Sequence, residues 1–323
     1  MGMKKIAVMA MLVGVIVIAG AKFYLHHQVT SNLDRAILLV KPFADIKYEG
    51  VSSTLSGELS VEGFSARIGT FSDSVEIDKI SILTPGFWFL LNLGDMDQHT
   101  ADGNASIPES FGLAIEGLRA NVSDDFMKTF VEATRQSVPA MVEDDAIGQC
   151  VGKYGYSVAA LKSLGYDEIV ISMSMGYRRE NGRLLVDMWA AVADMFSMQI
   201  DLTLDGNMTT ESIARGAFRP RMISGRIEYE DHSLIARTRK MCRSKGFSDE
   251  QLIAAELDTF QSAGIQSGIA FGESMLESYE EFLTAGSIFI IEANPLGPIN
   301  LSQIDLYKPT DVPALLNLTA HVQ

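Results

Sequence analysis

Basic charge is what this 323-residue chain has least of, with 26 Lys and Arg against 41 Asp and Glu and a formal net charge of −15. Lys4, Lys5 and Lys22 fall in the first 22 residues, so the remainder sets 23 basic residues against 41 acidic ones, a formal charge of −18. That balance excludes nucleic acid and bare anionic lipid surfaces as partners of the main body, since both demand a basic footprint. Cysteine is nearly absent too. Cys150 and Cys242 stand alone, and their spacing matches no zinc ribbon or redox pair. Also missing are a phosphate-binding glycine loop ending in Lys-Ser or Lys-Thr, a paired-histidine zinc helix and a nucleophile elbow. A disordered composition is excluded by a hydrophobic fraction of 47% and 8% aromatics.

What is present begins at the N-terminus. Lys4 and Lys5 precede an apolar run from Ile6 to Ala21 that no charge interrupts, closed by Lys22. At about 1.5 Å of rise per residue, and with Phe23, Tyr24 and Leu25 extending it past a snorkelling Lys22, a helix here reaches about 30 Å of hydrocarbon. The paired lysines favour a cytoplasmic N-terminus, which exports everything after about residue 25. Ala19-Gly20-Ala21 also has the small-x-small form of a signal-peptide cleavage site, and that reading exports the chain as well. Helical text continuing to residue 41 favours a retained, single-pass membrane anchor; no cysteine follows the run, which excludes a lipid-modified N-terminus. In an oxidising compartment an even pair of cysteines reads as a Cys150–Cys242 disulfide.

Three segments follow from this text: an anchor or signal peptide over 1–22, a helical stalk over 23–41 and an exported α+β domain over 42–323. In the stalk, Leu25, Val29, Leu33, Ile37 and Val40 share a stripe and Pro42 stops the helix. From Ile46 to Val122 the spacing predicts short strands: Leu59 and Val61 alternate with Glu58, Ser60 and Glu62, and Val75 and Ile77 with Glu76 and Asp78. A loop is expected over Gly94–Pro108, a helix from Ser123 to about Arg135, and another over roughly 142–164 ending at Gly165. Ile169, Ile171, Met173, Met175 and Tyr177 then line one strand face. Glu180-Asn181-Gly182 turns the chain, and Met198, Ile200, Leu202 and Leu204 alternate with polar residues in a later strand. Ile223 to Tyr229 adds a further strand. Asp231 caps a helix through about Lys245, and Ser248-Asp249-Glu250-Gln251 is a capping box opening the next. The last 36 residues return to β, with Ile288–Ile291, a turn at Asn294–Pro298 and Leu315–Leu318. Strands, helices, strands, helices, strands is an α+β order: a mainly antiparallel curved sheet with two helical blocks.

Candidates for chemistry are few. His26 and His27 flank the anchor, His99 lies in a loop and His321 near the end. His232 between Asp231 and Ser233 has triad residue types, but neighbours on a chain point apart and a helix N-terminus explains them better. Glu143-Asp144-Asp145 lacks the alternating ligands and turn glycine of a hard-cation site. Asp201 and Asp205 share a strand face as the wet side of a half-buried strand. Met173, Met175, Met188, Met195, Met198 and Met208 crowd the central strands; methionine suits both an ordinary core and a surface that accepts variable apolar partners.

The stretch YEGVSSTLSGELSVEG, Tyr48 to Gly63, followed by the alternating strand Val75–Leu83, resembles the start of AsmA-like and YdgA-like bacterial envelope proteins. Leu164-Gly165-Tyr166-Asp167 and Tyr229-Glu230-Asp231-His232-Ser233-Leu234 are similar to segments of the YdgA-like group. The resemblance implies an inner-membrane protein with a periplasmic domain, connected with envelope maintenance and lipid passage, and supplies no catalytic residue. The resulting expectation is a non-enzymatic protein without cofactor or metal, anchored through residues 6–21, whose partner is a lipid or an envelope protein and not nucleic acid. Its candidate apolar groove is Ile169, Ile171, Met173, Met175, Tyr177, Met198, Ile200, Leu202 and Leu204. A protein-binding adaptor and an unrecognised hydrolase are the competing expectations.

Overall fold

The fold comes from a computed structural model that describes residues 3–68, 74–92, 107–122, 125, 145–206 and 218–323, with the backbone alone at 3–20, 68, 92 and 305. Alternating residues with turn-forming glycines between them make hairpins, and neighbouring hairpins pair in chain order. The strands are β1 (Ala44–Lys47), β2 (Gly50–Ser53), β3 (Glu58–Ile68), β4 (Ser74–Leu83), β5 (Ser110–Asn121), β6 (Glu168–Glu180), β7 (Arg183–Val192), β8 (Phe196–Asp205), β9 (Arg221–Asp231), β10 (Ile288–Ala293), β11 (Ile299–Asn300) and β12 (Leu318–Val322). They form one antiparallel sheet in the order β1-β3-β4-β5-β6-β7-β8-β9-β10-β12, with β2 pairing β3 and β11 pairing β9. The β6–β7 hairpin turns through Asn181 and Gly182, both at positive φ, the left-handed pair that matches the twist of the strands.

The sheet is curved, and two register shifts lie within it. One falls between Ile115 and Leu118 of β5, the other between Thr203 and Leu204 of β8; an extra residue in one strand bends it and sharpens its twist. The first contains Gly117 at φ +63°, where a Cβ would stand 2.1 Å from Asp78 Oδ2, so only glycine fits.

The helices are α1 (Met3–Val40), α2 (Phe87–Asn92), α3 (Ala146–Cys150), α4 (Val158–Ser163), α5 (Leu234–Ser244), α6 (Asp249–Gln266), α7 (Glu273–Ala285) and α8 (Val312–Leu316). Among the described residues no helix is long and apolar enough to cross a membrane. The side chains of the Ile6–Ala21 run lie outside those residues as far as Gly20. Further along α1, Leu25 is buried while Val29, Leu33 and Ile37 are half-buried on the expected stripe; Val40 is exposed. Leu25 packs on Phe87 and Leu90 of α2, with Leu59 of β3 against them.

The α+β order and the antiparallel sheet match the sequence expectation, as do the β9 strand and the capping box. Ser248 Oγ accepts from Gln251 N, and the Gln251 side chain accepts from Ser248 N at 2.9 Å. At the preceding helix the N-cap is Ser233, without a side-chain cap bond, and Asp231 two residues earlier supplies the acceptor, its Oδ1 taking a hydrogen bond from Ile235 N at 3.1 Å. Two expectations are corrected. The helix placed over roughly 142–164 is two short ones, because Gly152 and Gly155 at positive φ interrupt the ladder between α3 and α4. Leu315–Leu318 is not strand: Pro313 starts the short α8, Asn317 ends it in the left-handed region, and β12 begins at Leu318. Most of the Ser123–Arg135 helix and of the Gly94–Pro108 loop lies outside the described residues.

Candidate functional site

Partners directly opposite across an antiparallel sheet share a face, so strand register decides whether separate apolar stripes join. Here they do. Met175 of β6 lies between Leu113 of β5 and Met188 of β7, and the row continues outward to Ile82 and Leu59 on one side and to Ile200, Ile227 and Ile291 on the other. One step along, Met173 lies between Ile115 and Ala190, and that row reaches Met198, Tyr229 and Phe289. The opposite face is polar, with Asp187, Asp201, Arg226 and Glu292 in successive strands.

The helices cover this apolar face around its rim. At one end of the strands Ile169 and Ile171 pack with α3, α4 and α5 residues around Cys150 and Cys242. At the other end Tyr177, Leu202 and Leu204 pack with Met222, Val312 and Leu316. Across the strands, Leu59 is covered by α1 and α2, while Tyr229 and Phe289 lie beneath α6 and α7. Among the described residues the middle is left open. Met175 is 56% exposed, Leu113 42%, Met173 39% and Ile227 37%, values far above those of a sheet face under a helical layer. Met188, Met198 and Ile200 between them are half-buried and belong to none of these clusters.

The nine expected groove residues therefore divide. Met173, Met175, Met198 and Ile200 floor the open window; Ile169 and Ile171 are in one core, and Tyr177, Leu202 and Leu204 in another. Leu113, Met188 and Ile227 were not among the expected groove residues, although Met188 stood in the methionine cluster and alternation along β5, β7 and β9 puts each on the same face once register is known.

At the Ile227 side the window meets a cavity of about 370 Å³ between the sheet and α5–α7. Apolar side chains dominate its wall, with Tyr156, Thr238, Glu256 and Tyr279 among them. Burial pushes the Tyr156 phenol up to about 12, while its 2.8 Å hydrogen bond with Thr238 opposes the rise. Burial likewise lifts the Tyr279 phenol and the Glu256 carboxyl, the latter against the pull of the Arg239 guanidinium, whose Nη2 donates to Glu256 Oε2 at 2.8 Å.

The other sequence candidates fall in structural roles. Cys150 and Cys242 are joined, with Cα atoms 5.8 Å apart, and tie α3 to α5. Asp145 accepts from Gly148 N at 2.8 Å as the cap of α3; Glu143 and Asp144 lie outside the described residues. His232 Nδ1 is 3.8 Å from Glu230 on the surface. Asp201 accepts from Gln199, and Asp205 pairs with Arg221. His26 and His27 are exposed on α1 and His321 on β12, while His99 lies outside the described residues. Among the described residues no three His, Cys, Asp or Glu side chains converge on a metal position.

A protein-family model described as "Uncharacterized protein" matches residues 189–323, from within β7 to the end of β12. No curated protein matches the chain.

Proposed function

We propose that this chain is a non-enzymatic, inner-membrane-anchored periplasmic protein that serves envelope maintenance by holding an acyl chain against the open window of its sheet. The observation that carries this reading is the run of exposed Leu113, Met173 and Met175 in the middle of a continuous apolar face that the described helices cover at its two strand ends. Contiguous exposed apolar surface of this kind marks an interaction site, and methionine adapts to chains of varied shape. Anchorage is supported by the Ile6–Ala21 run, and by exposed Phe23, Tyr24 and Trp88 beside its end, the position of an interfacial aromatic belt. Export is supported by the Cys150–Cys242 pair. The likeness of Tyr48–Gly63 to AsmA-like and YdgA-like envelope proteins points the same way.

The test is photo-labelling of the full chain in bilayer nanodiscs by a lipid carrying a diazirine in mid-chain. Labelled peptides from β5 to β8 are expected. Met175→Lys should lower that labelling by about tenfold, since a charge in an acyl contact costs more than the 1.4 kcal/mol that tenfold represents. Because Met175 is exposed, the substitution leaves the fold intact. Absence of label on these strands sinks the reading, and capture of another envelope protein at Met175 in its place would favour the adaptor.

A further inference from the structure

Where the window passes under α5–α7, the helices do not close on the sheet. Ile227 belongs to both places, exposed in the row of Met175 and also lining the 370 Å³ cavity, so the two spaces join. At about 30 Å³ per water in the liquid, the cavity is roughly a dozen waters in size. Protein interiors otherwise pack like organic crystals, and ligand pockets start near this volume.

Its polar groups define what fits. Among the residues lining it the only ionisable carboxylate is Glu256, and no Lys, Arg or His is present. The neighbouring Arg239 guanidinium, which does not line the cavity, donates to Glu256 through Nη2 and to the Leu283 carbonyl through Nη1, and its buried Nε has no partner among the described residues. Tyr156 and Thr238 hydroxyls bond each other. Among the described residues the Tyr279 hydroxyl has no hydrogen-bond partner, although its ring is held against Phe260 at 4.2 Å between centroids. A hydroxyl that lines a cavity without a protein partner is free to bond a ligand that supplies an acceptor or donor. An anionic headgroup would meet Glu256 with no cation in the lining to offset it, since the charge of Arg239 is already paired with Glu256.

We propose that this cavity binds the uncharged hydrogen-bonding end of a single-chain amphiphile, an alcohol, ester or amide of a fatty chain, whose tail runs past Ile227 onto the window. The tail half rests on the acyl-binding reading above; the head half stands on the cavity.

The experiment uses the full chain in bilayer nanodiscs and two probes of equal chain length with a diazirine beside the head: a glycerol monoester and an alkyl sulfonate. The monoester is expected to label peptides of α6 and α7 saturably, with the sulfonate at least about tenfold weaker. Tyr279→Phe, which keeps the ring and its packing, should reduce monoester labelling several-fold. Equal labelling by the sulfonate, indifference to Tyr279→Phe, or labelling confined to β6 and β7 overturns the head pocket while leaving the acyl-binding window standing. No labelling at either place overturns both.

Discussion

Glu58 and Lys79 on the polar face show how single residues set the pH response of this fold. Lys79 Nζ lies 2.6 Å from Glu58 Oε1 and holds the carboxyl below its ordinary 4.5, assisted by the Ser81 and Ser60 hydroxyls and opposed by partial burial. A depressed carboxylate contributes stability that is complete above its unfolded value, near 4.5, and is lost as the pH falls through the lower folded value. Glu58→Gln should therefore lower stability at pH 6 and flatten its decline below about pH 4.5, read as denaturant midpoints against pH. Asp231 and Glu256 run the other way. Burial lifts both, so the native state binds more protons than the unfolded chain, and the stability they cost at neutral pH returns as the pH falls through their raised values.

At the scale of elements, the disulfide does what short helices cannot do for themselves. The five residues of α3 are too few to be stable alone, and Cys150 fixes them to α5 through Cys242, both fully buried among Leu161, Leu164 and Met241. Closing a link over 92 residues stabilises by about 4 to 5 kcal/mol in the chain-entropy account. A Cys150→Ala/Cys242→Ala double variant should lose about that much in denaturant unfolding. Because these cysteines belong to the rim and not to the window, its labelling at β6 by an acyl probe should persist under conditions where it remains folded. An unchanged midpoint would show that the unfolded chain is not constrained by the bond.

Across the whole molecule, α1 and α2 fix how the sheet stands relative to the proposed bilayer. Phe87 and Leu90 are buried against Leu25, only a few residues past Ala21, which leaves Trp88 63% exposed on the outer side of α2. Trp189, the second tryptophan, faces the polar side of the sheet among Ser174 and Gln199. With single-tryptophan variants of the full chain in bilayers, brominated lipid should quench Trp88 in Trp189→Phe and leave Trp189 unquenched in Trp88→Phe. Equal quenching of both, or of neither, removes α2 from the interface. The sequence by itself determined the central strands and their two faces, the α+β order and the capping box at Ser248, because alternation and caps are written in neighbours a few residues apart, and an even cysteine count in an exported chain left one pairing. It misread Leu315–Leu318 as strand, where α8 ends and β12 begins only at Leu318. Its reading of 142–164 as one helix went astray at Gly152 and Gly155, where apolar periodicity outweighed two breakers. Only the tertiary structure decided which part of the apolar face is open. Ile169, Met175 and Leu204 are equivalent in the alternating text. Among the described residues they differ in what lies over them: a disulfide-tied helical block over Ile169, no helix over Met175, and the short α8 over Leu204. That difference depends on packing between segments dozens of residues apart, and no local period records it.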